Sequence, residues 1–291
     1  SFILIDWSCR ESFHTIDYLN RQTLPREEYE IIWIEYYKRS PFDIKNKIRQ
    51  SVEQKQYPAL DQWIVLDISP DIHYHKHLMY NVGIGLASGE IVVIMDSDAI
   101  ATTTLAESIH RAFSLNPNII LHLDELRNNA MRFYPFNYPA ISDILGEGFI
   151  DLKTDRDLTD TYHTKNYGAC FCARRQDLLQ IGGSDEHIDY LGRVTGPYEM
   201  TFRLQNYGLK ETWLENEFLY HVWHPGVTEG EYTDYIGPSD GRGMSATALE
   251  CLQTKRVYPL KENKAIQFLR TGSASITKPE SLVDKKEMAH W

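Results

Sequence analysis

Cysteine is scarce in this chain: Cys9, Cys170, Cys172 and Cys251 are four residues among 291. That is too sparse for a disulfide scaffold. Cys170 and Cys172 lack a second pair at zinc-site spacing, so both read as small core residues sharing one face of a strand. This usage fits a reducing, cytoplasmic location. No apolar run approaches the roughly 20 residues that a membrane span needs, so no span is expected in this chain, and peripheral attachment is the membrane role left open. No signal peptide precedes the first apolar run, which starts at residue 2, and the natural chain is free to begin earlier. Positive charge is short as well: 30 Lys and Arg against 41 Asp and Glu give a net charge of −11. A general nucleic-acid binder needs a basic face and is excluded on that ground, although a local basic patch for a small phosphate ligand is not. Internal repeats and low-complexity segments are absent.

What is present is an ordinary globular composition, 42% apolar and 24% charged, long enough for one large α/β domain or two modest ones. Aromatic residues make up 12%, with 18 Tyr and 6 Trp. Their flat faces and polar tips suit stacking on bases or sugars, or equally an aromatic-rich core. The first half alternates strand and helix signals. Apolar strands are expected at 2–6, 29–37, 62–68, 90–96 and 118–124. Helices are expected at 11–21, at 43–54 with Asp43 as N-cap, at 75–88 closed by Gly89, and at 103–115. Such alternation implies βαβ units and a mostly parallel sheet, and strands that are apolar almost throughout imply burial on both faces.

The second half is less regular. Residues 125–167 read as loops with short helices, 168–175 as a strand, and "QDLLQIGG" (176–183) as a short helix. A helix over 197–208 starts near Pro197 and stops at Gly208, followed by extended chain over 211–224. The glycine-rich segment 228–243 reads as a mobile loop, and 245–254 and 261–270 as terminal helices.

In sheets of this kind ligands bind beyond the carboxyl ends of the strands. Here several strands end in an acid: Asp6, Glu35, Asp67, Asp96 and Asp124. The sharpest case is "IVVIMDSD" (91–98), a buried strand that runs into two carboxylates one residue apart. Two such carboxylates repel unless they share a cation, and hard oxygen ligands favour Mg²⁺ or Mn²⁺ with positions left for phosphate oxygens. The plainer reading is an acidic turn that caps the following helix.

The stretch "HLMYNVGIGLASGEIVVIMDSD" (77–98) resembles the family 2 glycosyltransferases of the GT-A fold. It matches their pattern at Asn81, Gly83, Ala87, Gly89, Glu90, the apolar strand, and the Asp-x-Asp pair Asp96 and Asp98. Tyr80 stands where the family has Arg. A second match, "GACFCARRQDLLQIGGSDE" (168–186), looks like the family's small-residue strand, helix and Gly-Gly-Phe-Asp-Glu. The resemblance covers roughly 2–226. It implies an α/β, Rossmann-like GT-A domain over 1–226, with a nucleotide-sugar half (1–124), a smaller acceptor-side half (125–226) and a C-terminal extension (227–291) carrying the loop and helices.

The resemblance also implies roles. Asp98 would be the more direct metal ligand, with Asp96 nearer the ribose and the metal. Glu35, and Asp67 beside it, would read the base, with Trp7, Ser8 and Asn81 at the nucleotide. "EYYK" (35–38) replaces the family's Asp-Asp-Gly-Ser. A His near the end of the domain completes the metal site in many relatives, and "LYHVWHPG" (219–226) offers His221, slightly preferred, and His224. The expected reaction is metal-dependent, inverting transfer from a nucleoside-diphosphate sugar, UDP-linked by preference, to a glycan, lipid-linked or small-molecule acceptor. The base is the misfit: Gly196 and Pro197 stand where the family has Glu-Asp. Glu199 is the nearest candidate, with an i,i+4 salt bridge to Arg203 as its equal alternative, and Asp189 is in reserve. Lys38 and Arg242 are weaker candidates for the diphosphate. Two other readings stand beside this one. A sugar nucleotidyltransferase would need a glycine-rich loop after the first strand, where the chain has "WSCRES" (7–12). A non-catalytic sugar-nucleotide or glycan binder would explain the missing Glu-Asp pair.

Overall fold

Alternate residues of each central strand pack into opposite cores, which is why these strands read as unbroken apolar runs. The computed structural model describes residues 1–8, 10, 12–38, 59–150, 168–186, 190–192, 197–224 and 253–254. Along the chain come β1 (Phe2–Asp6), α1 (His14–Leu19), β2 (Ile31–Glu35), β3 (Gln62–Val65), α2 (Lys76–Leu86), β4 (Ile91–Met95), β5 (Ile100–Ala101) and α3 (Leu105–Leu115). They are followed by β6 (Ile119–Asn128), α4 (Ile141–Ile144), β7 (Phe149–Ile150), β8 (Cys170–Arg174), α5 (Arg175–Gln180), α6 (Tyr198–Tyr207) and β9 (Lys210–Val222).

The strands form one sheet in the order β3-β2-β1-β4-β8-β6-β9-β5, with β7 on β6. β1, β2, β3 and β4 are parallel neighbours, and β6 and β9 are parallel to each other. β8 enters antiparallel between β4 and β6, a reversal that the sequence pattern did not disclose. On one face Ile3, Ile5, Ile32, Ile34, Val92 and Ile94 pack with Leu78, Met79 and Val82 of α2. On the other, Phe2, Leu4, Trp33, Val93 and Met95 pack with Ile16 and Leu19 of α1 and with Leu105, Ile109 and Phe113 of α3. Each fully buried aliphatic side chain contributes about 1.5–3 kcal/mol. Cys170 and Cys172 lie in this second core with free thiols, as expected of small core residues.

Two glycines have physical reasons for their positions. A Cβ on Gly83 would come within 2.5 Å of the Ile3 side chain, so α2 can lie directly on β1 only with glycine there. Gly208 takes φ 114° and stops α6 as a left-handed cap. The predicted stop of α2 at Gly89 is wrong by two residues. The helix ends at Leu86, and Ala87 caps it through the Gly83 carbonyl. The chain is diverted earlier because Glu30 Oε1 accepts from the Ser88 N–H at 2.6 Å. β6 runs four residues beyond the expected 118–124. The expected helix at 43–54, loop at 228–243 and helix at 261–270 lie outside the described residues. Of 227–291, only 253–254 are described, both helical. Among the described residues no helix is long and apolar enough to cross a membrane.

Candidate functional site

The carboxyl ends of β1, β2 and β4 bring Asp6, Glu35 and Asp96 to one edge of the sheet, with Asp6 in register with Glu35. Just beyond β4 the chain turns, and Ser97 Oγ donates to the Ile5 carbonyl at 2.8 Å. That bond pins the Asp-Ser-Asp turn over the end of β1. The next two-residue strand, β5, pairs antiparallel with β9, Ile100 opposite Tyr220 and Ala101 opposite Leu219. This pairing carries residues more than 120 positions away onto Asp98.

The result is a convergence on one oxygen. His224 Nε2 lies 2.9 Å and His221 Nε2 3.3 Å from Asp98 Oδ2, and the two ring nitrogens are 3.2 Å apart. Arg10 Nη1 is 2.5 Å from the same oxygen, and its Nε donates to Ser97 Oγ at 2.8 Å. Burial alone would raise the Asp98 pKa, but Arg10 and then His221 outweigh it and hold the carboxyl well below the usual range. Burial works against a charged His221, yet Asp98 prevails and raises its pKa. His14 stands behind the turn: its Nε2 meets the Asp98 carbonyl at 2.8 Å, and burial lowers its pKa to about 4. Its imidazole is therefore neutral at physiological pH and donates from Nε2, while its ring stacks on Phe136 at 3.6 Å.

These three donors fit a divalent cation. Ligands about 2.1 Å from a shared ion, at right angles, are roughly 3.0 Å from one another. The observed spacings of 2.9, 3.2 and 3.3 Å straddle that figure. Asp98, His221 and His224 form the one such group found among the described residues. Two imidazoles with one carboxylate suit Mn²⁺ better than Mg²⁺, which prefers oxygen ligands.

Asp96 is not part of the convergence. It is partly buried, and burial first, then Asp98 and Glu125, push its pKa up to about 6 against the opposing charges of Lys76 and Arg10. Lys76 is a cation the sequence reading missed. It lies one turn ahead of Tyr80 and is 4% exposed. Burial would lower its pKa, but Tyr80 and Asp96 outweigh that and raise it. The signal was there in the i,i+4 spacing of Lys76 and Tyr80. Arg10 was also missed, although it lies in "WSCRES", the loop quoted only for its lack of glycine.

The other expected site residues are distributed as follows. Trp7 stacks on Tyr74 at 4.3 Å, with the Arg10 guanidinium 5.7 Å and the Lys76 ammonium 5.5 Å from its ring centre. Ser8 and Asp67 are exposed, and both take left-handed backbone, φ 67° and 54°. Such conformations are uncommon outside glycine and concentrate at functional sites. Glu35 is fully buried, accepts from the Trp33 indole at 2.9 Å, and is pushed by burial to a pKa of about 7. Lys38 is exposed, while Arg242 and Asp189 lie outside the described residues.

Asn81 is fully buried and binds inward. It donates to the Ser184 carbonyl and Glu186 Oε1 and accepts from the Ser184 N–H, all within 2.8 Å. It ties the first recognised stretch to the second. Glu199 belongs to the same knot. It is 1% exposed, its Oε1 accepts from Ser184 Oγ and the Asp185 N–H, and its Oε2 pairs with Arg203 at 3.2 Å. The i,i+4 ion pair expected of Glu199 is present.

Beside the Asp98 cluster opens a cavity of 70 Å³ whose lining includes Arg10, Asp98 and His224 together with Tyr134, Phe136 and Trp223. Polar groups therefore meet an aromatic wall.

No family model and no curated protein matches the sequence. Solved structures do match in fold. S. aureus TarS 1–349 in complex with UDP-GlcNAc superposes with a TM-score of 0.57 at 15% identity, over 87% of this chain and 65% of that one. The same protein with UDP gives 0.52 at 15%, over 77% and 60%. GalNAc-T7 with UDP, GalNAc and Mn²⁺ gives 0.55 at 13%, over 82% and 46%. The chain thus spans less than two thirds of the length of each. At this identity the likeness is one of fold: the mixed α/β architecture with its curled, mostly parallel sheet is that of the GT-A glycosyltransferases.

Proposed function

We propose that this chain is a glycosyltransferase that moves a sugar from a nucleoside-diphosphate sugar, UDP-linked by preference, to an acceptor hydroxyl with inversion, using a bound Mn²⁺. The observation that carries the reading is the meeting of Asp98, His221 and His224 at the carboxyl edge of the sheet, where an open α/β sheet takes its ligand. The fold it shares with structures solved with UDP, UDP-GlcNAc and Mn²⁺ supports the same donor chemistry.

In this reading Asp98, His221 and His224 hold the cation, which when bound neutralises the leaving diphosphate. Trp7, Ser8 and Asp67 line the nucleotide end, with Glu35 buried at the end of the neighbouring strand and Asp96 toward the ribose. Asn81 acts at one remove by fixing the Ser184–Glu186 turn. The aromatic lining of the neighbouring cavity suits the apolar face of a sugar ring. Inverting transfer needs a carboxylate to accept the acceptor's proton. Glu199, closed in by Arg203 and Ser184, is better suited to position the turn, which leaves Asp189 as the sequence's remaining candidate.

That closure also favours one rival, a sugar-nucleotide binder without turnover. A thermal-shift titration with UDP, GDP, CDP and ADP, each with and without Mn²⁺, tests the donor site. A rise for one diphosphate that requires Mn²⁺ is expected, since a ligand that binds only the folded state raises the midpoint. No rise with any nucleotide overturns the reading. Release of UDP from UDP-sugars then separates an enzyme from a binder.

A further inference from the structure

The Asp-x-Asp turn already has cations of its own. Arg10 is 9% exposed and sits on Asp98 Oδ2, the oxygen that both histidines address. Lys76 is buried, and its charge acts on Asp96. Both flank Trp7, at the end of β1. A divalent ion held by Asp98, His221 and His224 would sit within a few ångströms of the guanidinium, on the oxygen that Arg10 now contacts. The two cations repel at that distance in a site of low dielectric.

We infer that Arg10 is an exchange residue: it holds Asp98 while the site is empty, yields that oxygen to the metal, and moves its guanidinium onto the diphosphate of the incoming nucleotide. The inference rests on the donor-site reading above and names a residue of that site. Its basis is charge. Arg10 and Lys76 offset Asp98 and Asp96, and Arg127 pairs with Glu125, so the fixed charges around the empty site nearly balance before any proton on His221 is counted. A divalent ion alone leaves excess positive charge in a buried place. A diphosphate arriving with the ion restores the balance, and it offers a guanidinium the paired oxygens that its planar fork binds best. The anchor of the side chain suits such a move, because the Nε bond to Ser97 Oγ fixes one edge of the guanidinium at the turn while Nη1 makes the contact to be exchanged. Metal and nucleotide then bind with positive coupling, each tightening the other by the same factor.

The test is the affinity of Mn²⁺ by itself, read from the free-ion electron-spin-resonance signal, in the full chain with and without UDP. Wild type is expected to bind Mn²⁺ weakly alone and at least tenfold more tightly with UDP. Arg10→Met, which keeps the bulk and removes the charge, is expected to bind Mn²⁺ alone at least tenfold more tightly than wild type and to lose most of the UDP effect. Arg10→Lys, which keeps the charge without the fork, is expected to restore weak binding of the ion alone; it also serves should the Met variant not fold, and Mn²⁺ binding tighter than wild type in the Lys variant would count against the exchange. Mn²⁺ binding to Arg10→Met that is no tighter than to wild type overturns the inference. If UDP affects neither protein while the Met variant still binds the ion more tightly, the UDP-linked donor reading fails and the competition between Arg10 and the metal stands.

Discussion

Two carboxylates, Asp98 and Glu199, have nearly the same neighbours and opposite situations. Each is almost wholly buried, each is paired with an arginine and each has a histidine close by. Around Glu199 both oxygens are committed to groups of the same knot, and Arg203 continues to the Gly183 carbonyl. Around Asp98 a single oxygen is crowded by three nitrogens, and a cavity lies alongside. A buried acid whose bonds are shared out evenly ties the fold together. A buried acid on which several cationic or metal-ligating groups converge at one point is arranged for something that arrives.

The largest expected effect comes from breaking the closed cluster. Glu199→Ala leaves Arg203 buried without its carboxylate and should lower unfolding free energy by about 3–5 kcal/mol, read from urea denaturation. If the variant instead unfolds like wild type while transfer disappears, Glu199 is the base and the contrast collapses. Asp98→Asn should act the other way round. It removes the charge paired with buried Arg10 but retains bulk and an acceptor, so the unliganded protein should lose less stability than Glu199→Ala does. The stabilisation by UDP with Mn²⁺, about 2.7 kcal/mol at a hundred times the dissociation constant, should vanish in a thermal-shift assay.

Glu35 sharpens the comparison as an intermediate case, a fully buried acid with the Trp33 indole as its hydrogen-bond donor. Its folded-state pKa, about 7, is raised above the value in the unfolded chain by burial. The folded state therefore holds the proton more tightly. The contribution is complete below about pH 4.5 and is lost as pH rises through 7, so stability should fall by about 2 kcal/mol between pH 5 and pH 7 on this account. Glu35→Gln should flatten that part of the pH profile of urea unfolding. An unchanged profile would mean that Glu35 is already ionised in the fold.

The sheet was legible because both-face burial writes itself as uninterrupted apolar runs, and each of the five strands expected in the first half is present. The antiparallel entry of β8 was not legible, since a buried strand has the same composition in either direction. Asp98, His221 and His224 could be named from residue type and resemblance, but their meeting depends on the pairing of β5 with β9, a contact across more than a hundred residues with no local signature. Arg10 and Lys76 escaped notice because a lone cation is ordinarily a solvated surface charge. Only burial against Asp98 and Asp96 marks them out.

The smallest effect decides a question the sequence left open, namely which histidine serves Asp98. Both ring nitrogens reach the same oxygen, His224 at 2.9 Å and His221 at 3.3 Å. They are placed by different means: His221 lies in β9, opposite Arg127 of β6, whereas His224 follows the strand's end. If both are ligands, His221→Ala and His224→Ala should each weaken Mn²⁺ by roughly tenfold, about 1.4 kcal/mol, in isothermal titration at saturating UDP. Substituting both should then cost more than either alone. If one substitution leaves the affinity untouched, that histidine only hydrogen-bonds the carboxylate, and Asp98 with its single imidazole must find a further ligand on the diphosphate. In that case the open cluster differs from the closed one less in its protein groups than in what it leaves for the nucleotide to supply.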